Sequence, residues 1–306
     1  MRWSFSGYGM FRRCPRQWFY KTIFSNSRAK DPLRNEAARL SKLDNIQSWR
    51  GKIVDEVISD SIIPSIMWRK PYDLISAEKK ADEIFNSQKT QRITSSKEVS
   101  SDEIEDGEFF EIEYGIPLNN EVFNKAKSDV HLALHNFYEA KQVWSTLNQA
   151  KRLIPQRPLS YKEGEITVQC RPDLILFRSP SSPIIFDWKV NRHPVRDYWL
   201  QLVTGAITLT KCTIHKDWPD KEIIHPPHEI ELQEVQLLTG NVIHHIISPE
   251  DVEDAEDIIS SSIVEMQLAC NYDDPKQLSP ESIPVTKNPN ICGFCSYRKL
   301  CWRQEL

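Results

Sequence analysis

Between Arg171 and Lys189 the chain reads RPDLILFRSPSSPIIFDWK, and no other stretch constrains its fold as tightly. Asp173 opens an apolar run, Leu174 to Phe177, that reads as a buried strand. Ser179 to Pro183 is a Ser/Pro turn that sends the chain back, and Ile184 to Val190 is apolar again except for Asp187 and Lys189. Side chains two apart on a strand share a face, so Asp187 and Lys189 point together. A hairpin register that sets Asp173 beside them makes a hard-oxygen site for a divalent ion such as Mg²⁺, with a lysine at its edge.

Pro172-Asp173 followed by Asp187-Trp188-Lys189 resembles the signature of the PD-(D/E)XK nuclease superfamily. The resemblance implies a restriction-endonuclease-like core, of α/β or α+β class, with a mixed central sheet flanked by helices. It implies that Asp173 and Asp187 bind Mg²⁺ or Mn²⁺ and that Lys189 assists catalysis.

Composition is that of an ordinary globular chain: 306 residues, 40% hydrophobic and 27% charged, enough for one large domain or two modest ones. No apolar run is long enough to span a bilayer, and the start of the chain lacks a signal-peptide apolar core, so the expected location is cytoplasmic. Net charge is −4, so nucleic acid must be met by a local basic patch. One candidate patch is the opening segment. Arg12, Arg13 and Arg16 are interleaved there with aromatic residues, and no acid occurs before Asp31.

Pro15 starts a helix running to about Phe24, and two helices fill residues 33 to 62. The second contains Arg50-Gly51-Lys52-Ile53-Val54-Asp55. Nucleases of the RecB type carry Gly-x-x-Val-His on the helix leading into the core, and similarity to them makes Asp55 a candidate third metal ligand in place of the histidine. A further amphipathic helix covers Tyr72 to about Phe85. A polar stretch from Asn86 to Ser101 follows, and then an acidic run to Glu113 that reads as a solvated loop. Asn120 to about Trp144 is helical by period, and its His131 and His135 read as surface histidines.

From Leu159 the pattern turns to strands: LSYK and ITVQC flank a turn at Glu163-Gly164-Glu165. After Lys189, VRDYWLQLVTGAITLTK is helical, with Tyr198, Gln201 and Gly205 on one face. RecB-type nucleases have a Gln here with a Tyr four residues on; Gln201 fits, Gly205 does not, and Tyr198 is the candidate substitute ring. Two strands about a Thr-Gly-Asn turn and a helix capped by Ser248 complete the core.

Seven cysteines without extracellular signals do not suggest disulfides. Cys170, Cys212 and Cys270 read as small buried hydrophobes. Cys292, Cys295 and Cys301 form C-x-x-C-x-x-x-x-x-C at the end of the chain, with Cys14 near its start. This looks like the iron-sulfur staple of RecB-type nucleases, and four thiolates suit a [4Fe-4S] cluster or, equally, a structural zinc. The expected organisation is residues 1–63 as a basic entry segment, 64–155 as a mostly helical insertion, 156–270 as the nuclease core and 271–306 as an iron-sulfur tail joined to Cys14.

The resemblance is greatest to iron-sulfur exonucleases of the CRISPR-adaptation type and to nuclease domains of recombination helicase-nucleases. It implies a metal-dependent deoxyribonuclease acting on single-stranded DNA or duplex ends in repair, recombination or defence, alongside a helicase or defence complex. No phosphate loop of the G-x-x-x-x-G-K-S/T kind occurs. Two rivals stand beside it: a nuclease-like subunit that binds DNA or protein without cutting, and a zinc-stapled RNA-processing nuclease.

Overall fold

A computed structural model describes residues 1–98, 108–178, 180–191, 198–219, 224–270 and 277–302. Eight strands occur among them, beginning with β1 (Arg2–Trp3), β2 (Arg152–Pro155), β3 (Leu159–Glu163) and β4 (Ile166–Cys170). β5 (Leu174–Phe177) and β6 (Ile184–Lys189) follow, and then β7 (Glu231–Gln236) and β8 (Asn241–His245). The main sheet runs β2-β5-β6-β7-β8, antiparallel at every junction except the parallel pair of β6 and β7. This is the mixed sheet of a restriction-endonuclease-like α/β fold.

The central strands are apolar on both faces because both faces are covered. Ile184 to Trp188 are all buried, and no alternation survives in such a strand. The hairpin of β3 and β4 turns at Gly164, whose φ of +55° suits a residue without a Cβ. β7 and β8 turn in the same way at Gly240, with φ +76°. Both turns fall where Gly in a polar triplet placed them. β2 has no clear signal in the sequence; it pairs with β5 and forms one edge of the sheet.

The chain forms two compact units. The first comprises Met1–Arg2, Gln47–Ser87 and Asn119–Asp257, and the second Trp3–Ile46, Gln88–Leu118 and Ile258–Leu306. The helices of 64–155 contribute to both units, and residues 271–306 belong to the second.

In the first unit, Trp49 of helix Ile46–Val57 meets Phe123 of the long helix Asn120–Glu139 and Phe85 of helix Leu74–Glu98, with ring centres 6.3 and 4.6 Å apart. Val130, Leu134 and Phe137 are buried on the predicted face. Ala140 breaks the helix earlier than the pattern indicates, and Lys141–Asn148 forms a separate one. Helix Tyr198–Lys211 lies on the sheet, and a Cβ on Gly205 would stand 3.4 Å from Ile185 Cδ1. The start of its predicted range lies outside the described residues, as does Ser179 in the predicted turn.

In the second unit, Trp3 is buried and its indole N–H donates to Ser262 Oγ at 2.8 Å. The helix that begins at Leu74 runs on to Glu98, its residues from Gln88 belonging to this unit, through the polar stretch expected to follow it. Arg92 accounts for this: it is buried, ion-paired to Asp44 at 3.1 Å and set over the Phe109 ring. The acidic run is likewise part structure. Glu113 pairs with Arg39 at 2.8 Å and Lys299 at 2.6 Å, and Glu111 accepts the Ile46 N–H at 3.1 Å, while residues 99–107 lie outside the described residues.

Candidate metal-binding site

The register of β5 on β6 pairs Leu174 with Phe186, so the next residues, Asp173 and Asp187, come opposite one another. Asp173 Oδ2 accepts the Trp188 N–H at 2.7 Å, which fixes its carboxylate at the end of β6. Asp187 is 4% exposed; its Oδ1 accepts from Gln201 Nε2 at 2.7 Å and its carboxylate is ion-paired to Lys189. Gln201 closes the loop by accepting from Lys189 Nζ at 3.1 Å. Nζ also sits 4.1 Å from the centre of the Tyr198 ring, and the Tyr198 hydroxyl accepts from Asn191 Nδ2. One helix face therefore delivers both Tyr198 and Gln201 to the lysine. Gly205, one turn on, lies against Ile185, where a ring would overlap the core.

Asp55 enters from helix Ile46–Val57. Arg50 fixes this helix to the end of β6 by donating to the Val190 carbonyl at 3.1 Å while pairing with the buried Asp129. The Asp55 carboxylate accepts from Ser59 Oγ at 3.3 Å and from Gln156 Nε2 at 2.8 and 3.0 Å. The same Gln156 nitrogen stands 3.0 Å from Asp173 Oδ1. A neutral amide thus lies between two carboxylates. Gln156 does this from a left-handed backbone, φ +48°, just after β2. Nothing in its sequence context marks it.

Burial and mutual repulsion raise the pKa of all three aspartates. Burial pushes Asp55 up to about 6, against the hydrogen bonds from Gln156 and Ser59, with small contributions from Asp60 and Asp187. Asp173 is raised by burial and by Asp55, and Asp187 by burial and by Asp173, with Lys189 opposing both. Apart from the Lys189 ion pair, Asp187 Oδ2 is buried without a hydrogen bond. A further carboxylate lies on the same sheet face: Glu234 of β7 is opposite Asp187 in register, buried, and paired with His245 at 3.2 Å. The sequence signal for it was an acid in an otherwise buried strand.

Hard oxygen donors, an excess of negative charge and a buried carboxylate oxygen short of donors are what a divalent cation satisfies. Among the described residues, however, no three His, Cys, Asp or Glu side chains are already closed into a ligand shell. His131 is no exception, being paired with Asp82 at 2.8 Å.

In the second unit, Cys14, Cys292, Cys295 and Cys301 line one cavity. Burial first, then the charges of Cys14 and Cys301, raise the pKa of both Cys292 and Cys295. The Tyr297 N–H donates to Cys295 Sγ at 3.4 Å, and Arg16 donates to Cys301 Sγ at 3.7 Å. Arg16 is also tied to the Ile283 and Glu281 carbonyls. Arg12 and Arg13 are exposed, Arg12 lying 5.9 Å from the Tyr8 ring centre. Cys212 and Cys270 are buried outside this cavity's lining. Cys170 is outside it too, and burial raises its pKa to about 12.

Opposed aspartates with a lysine on the same face of a mixed sheet are a donor set whose chemistry suits a divalent ion. The chain belongs to the PD-(D/E)XK nuclease superfamily, whose family model matches residues 2–302. Members of this superfamily are nucleases that typically use Mg²⁺ or Mn²⁺. Among solved structures, the crystal structure of SSO0001 is similar at 14% identity, with a TM-score of 0.31, over 64% of this chain and 80% of that one. No curated protein matches the sequence. Among the described residues no helix is long and apolar enough to cross a membrane.

Proposed function

We propose that the chain is a Mg²⁺- or Mn²⁺-dependent deoxyribonuclease that works as an exonuclease on single-stranded or resected DNA ends. The observation that carries this is Asp173 opposite Asp187 with Lys189 on the same face, in a chain matched to the family almost from end to end. Asp173 and Asp187 hold the ion, helped by Asp55. The bound ion supplies Lewis acidity at the scissile phosphate. Lys189, oriented by Gln201 and the Tyr198 ring, sets a positive charge where negative charge develops on the phosphate oxygens. Gln201 steadies Asp187 and Lys189 together. Arg12 and Arg13 offer phosphate contacts; Arg16 has its guanidinium engaged by carbonyls and Cys301, which suits it better to the cysteine cavity.

The cysteine cavity is read as a centre for a [4Fe-4S] cluster, with structural zinc as its alternative. The four cysteines line one cavity there, with N–H donors directed at two sulfurs, the kind of contact that tunes such clusters, although among the described residues no three of them are closed into a ligand shell. With no phosphate loop in this sequence, unwinding would come from a helicase or defence complex.

One observation favours the rival, a nuclease-like subunit that binds DNA without cutting: the Gln156 amide sits between Asp55 and Asp173. Digestion of end-labelled single- and double-stranded DNA and RNA, with Mn²⁺, Mg²⁺ or excess chelator, separates the readings. Metal-dependent shortening from an end supports the exonuclease; intact DNA under all conditions sinks it.

A further inference from the structure

A groove made of two adjoining clefts follows β2. Its wide part, about 710 Å³, lies among Met67, the turn that follows it, the end of helix Lys141–Asn148, and Lys151 to Leu153. A second cleft of about 330 Å³ continues from Arg152 to Pro158 and shares Met67, Arg152 and Leu153 with the first. Gln156, whose amide touches Asp55 and Asp173, lines this second cleft. Gln156 therefore belongs both to the groove's lining and to the candidate metal site, and the lining lies within the first unit.

Its charge is opposite to that of the chain. Among the described residues, Arg69, Lys70, Lys151, Arg152 and Arg157 line the two clefts against a single carboxylate, Asp217, in a protein of net charge −4. Asp217 is itself paired with Arg157. Aromatic rings accompany the cations. Tyr72 and Trp144 line the wide part, and Trp68, 68% exposed, carries the Lys70 ammonium 5.5 Å from its ring centre. Among the described residues the two non-glycine residues with left-handed backbones are Arg69, φ +53°, and Gln156, φ +48°. One lies in each cleft, and such conformations persist where the surrounding structure holds them for a purpose.

We infer that this groove binds one strand of DNA and brings it to the Asp173–Asp187 site through Gln156, phosphates on the Arg69, Lys70 and Arg152 side and bases against the rings of Tyr72, Trp144 and the neighbouring, exposed Trp68. Cations that follow a backbone, combined with aromatic faces, are the chemistry of single-strand binding, since a paired duplex offers no free base faces. The inference rests on the nuclease reading of the pocket and names the form in which its substrate arrives.

The test is affinity for an uncleaved ligand. A fluorescent single-stranded DNA is titrated in chelator against the wild type, Arg69→Glu/Lys70→Glu, Trp68→Ala, and Arg28→Glu/Lys30→Glu as an exposed pair with the same charge change in the second unit. Arg69→Glu/Lys70→Glu should weaken binding about tenfold or more and flatten the log–log salt slope by roughly 1.4, at about 0.7 for each phosphate no longer neutralised. Trp68→Ala should weaken binding several-fold with the salt slope kept, and duplex of equal length should bind more weakly than the single strand. Equal weakening in Arg69→Glu/Lys70→Glu and Arg28→Glu/Lys30→Glu, or preferred binding of duplex or RNA, would overturn the groove. Circular dichroism of each variant separates misfolding from weakened binding, and Arg69→Gln/Lys70→Gln repeats the test if the reversal fails to fold. Strand binding through the groove without metal-dependent cleavage would keep this inference and remove the nuclease; cleavage with unchanged affinities would do the reverse.

Discussion

Gln156 Nε2 donates to both carboxylate oxygens of Asp55, at 2.8 and 3.0 Å. The same nitrogen reaches Asp173 at 3.0 Å, so a neutral donor partly satisfies two carboxylates that a divalent ion would satisfy better. An entering ion must displace hydrogen bonds to charged groups, each worth about 1.5–3 kcal/mol. Gln156→Ala should therefore tighten Mn²⁺ binding several-fold in calorimetric titration. Weaker binding would show that Gln156 supports the ligands and does not compete for them.

Removing Asp187 or Lys189 should abolish cleavage. Asp187→Asn keeps the Gln201 contact but deletes a metal ligand, and Lys189→Ala deletes the charge beside the scissile phosphate, each costing roughly a hundredfold or more in rate. End-labelled DNA in Mn²⁺ is the assay. Wild-type rates in both variants would place the chemistry elsewhere.

Metal-free protein should lose stability as pH rises from about 4 to 6. Asp55 has an ordinary value of 3.8 and a folded value of about 6, so in that window the folded state holds more protons than the unfolded one. The slope of stability against pH is then negative, and a rise of that size in the Asp55 pKa costs roughly 3 kcal/mol once the carboxyl is ionised. Asp173 and Asp187 are raised as well and act in the same direction. Urea denaturation in chelator at several pH values measures this, and Asp55→Asn should flatten the fall. A rise in stability across the window would contradict the burial argument.

Arg50→Ala should destabilise the first unit by about 3–5 kcal/mol, because it leaves the buried Asp129 carboxylate without its main partner. It also frees the Val190 carbonyl that ties the Asp55 helix to β6. Metal affinity should fall with stability. Arg50→Lys should restore the charge but only part of both properties, since an ammonium lacks the planar fork.

Protein prepared without oxygen should carry iron and sulfide at Cys14, Cys292, Cys295 and Cys301. Replacing any of them with Ser should remove the metal and lower the melting temperature, because the centre closes a loop spanning most of the chain. Cys170, Cys212 and Cys270 variants should retain it. One zinc and no iron would replace the cluster while keeping the four ligands; no metal of either kind would remove both.

Much of this site is written locally. An Asp ahead of an apolar run, a D-x-K triplet and a Ser/Pro turn determine a hairpin whose period-two geometry puts Asp187 and Lys189 on one face. Helical period likewise puts Tyr198 and Gln201 together, and glycine between polar neighbours marks the turns at Gly164 and Gly240. The tertiary structure decided what depends on distant segments. Arg92 keeps a polar stretch helical because Asp44 and Phe109 bury it, and Glu113 is ordered by Arg39 and Lys299. Gln156 comes to lie between Asp55, about a hundred residues before it, and Asp173, through a backbone angle no propensity predicts. Sequence determines which faces a strand or helix can offer; only packing decides which faces meet, and a single amide between two carboxylates has no periodicity by which to announce itself.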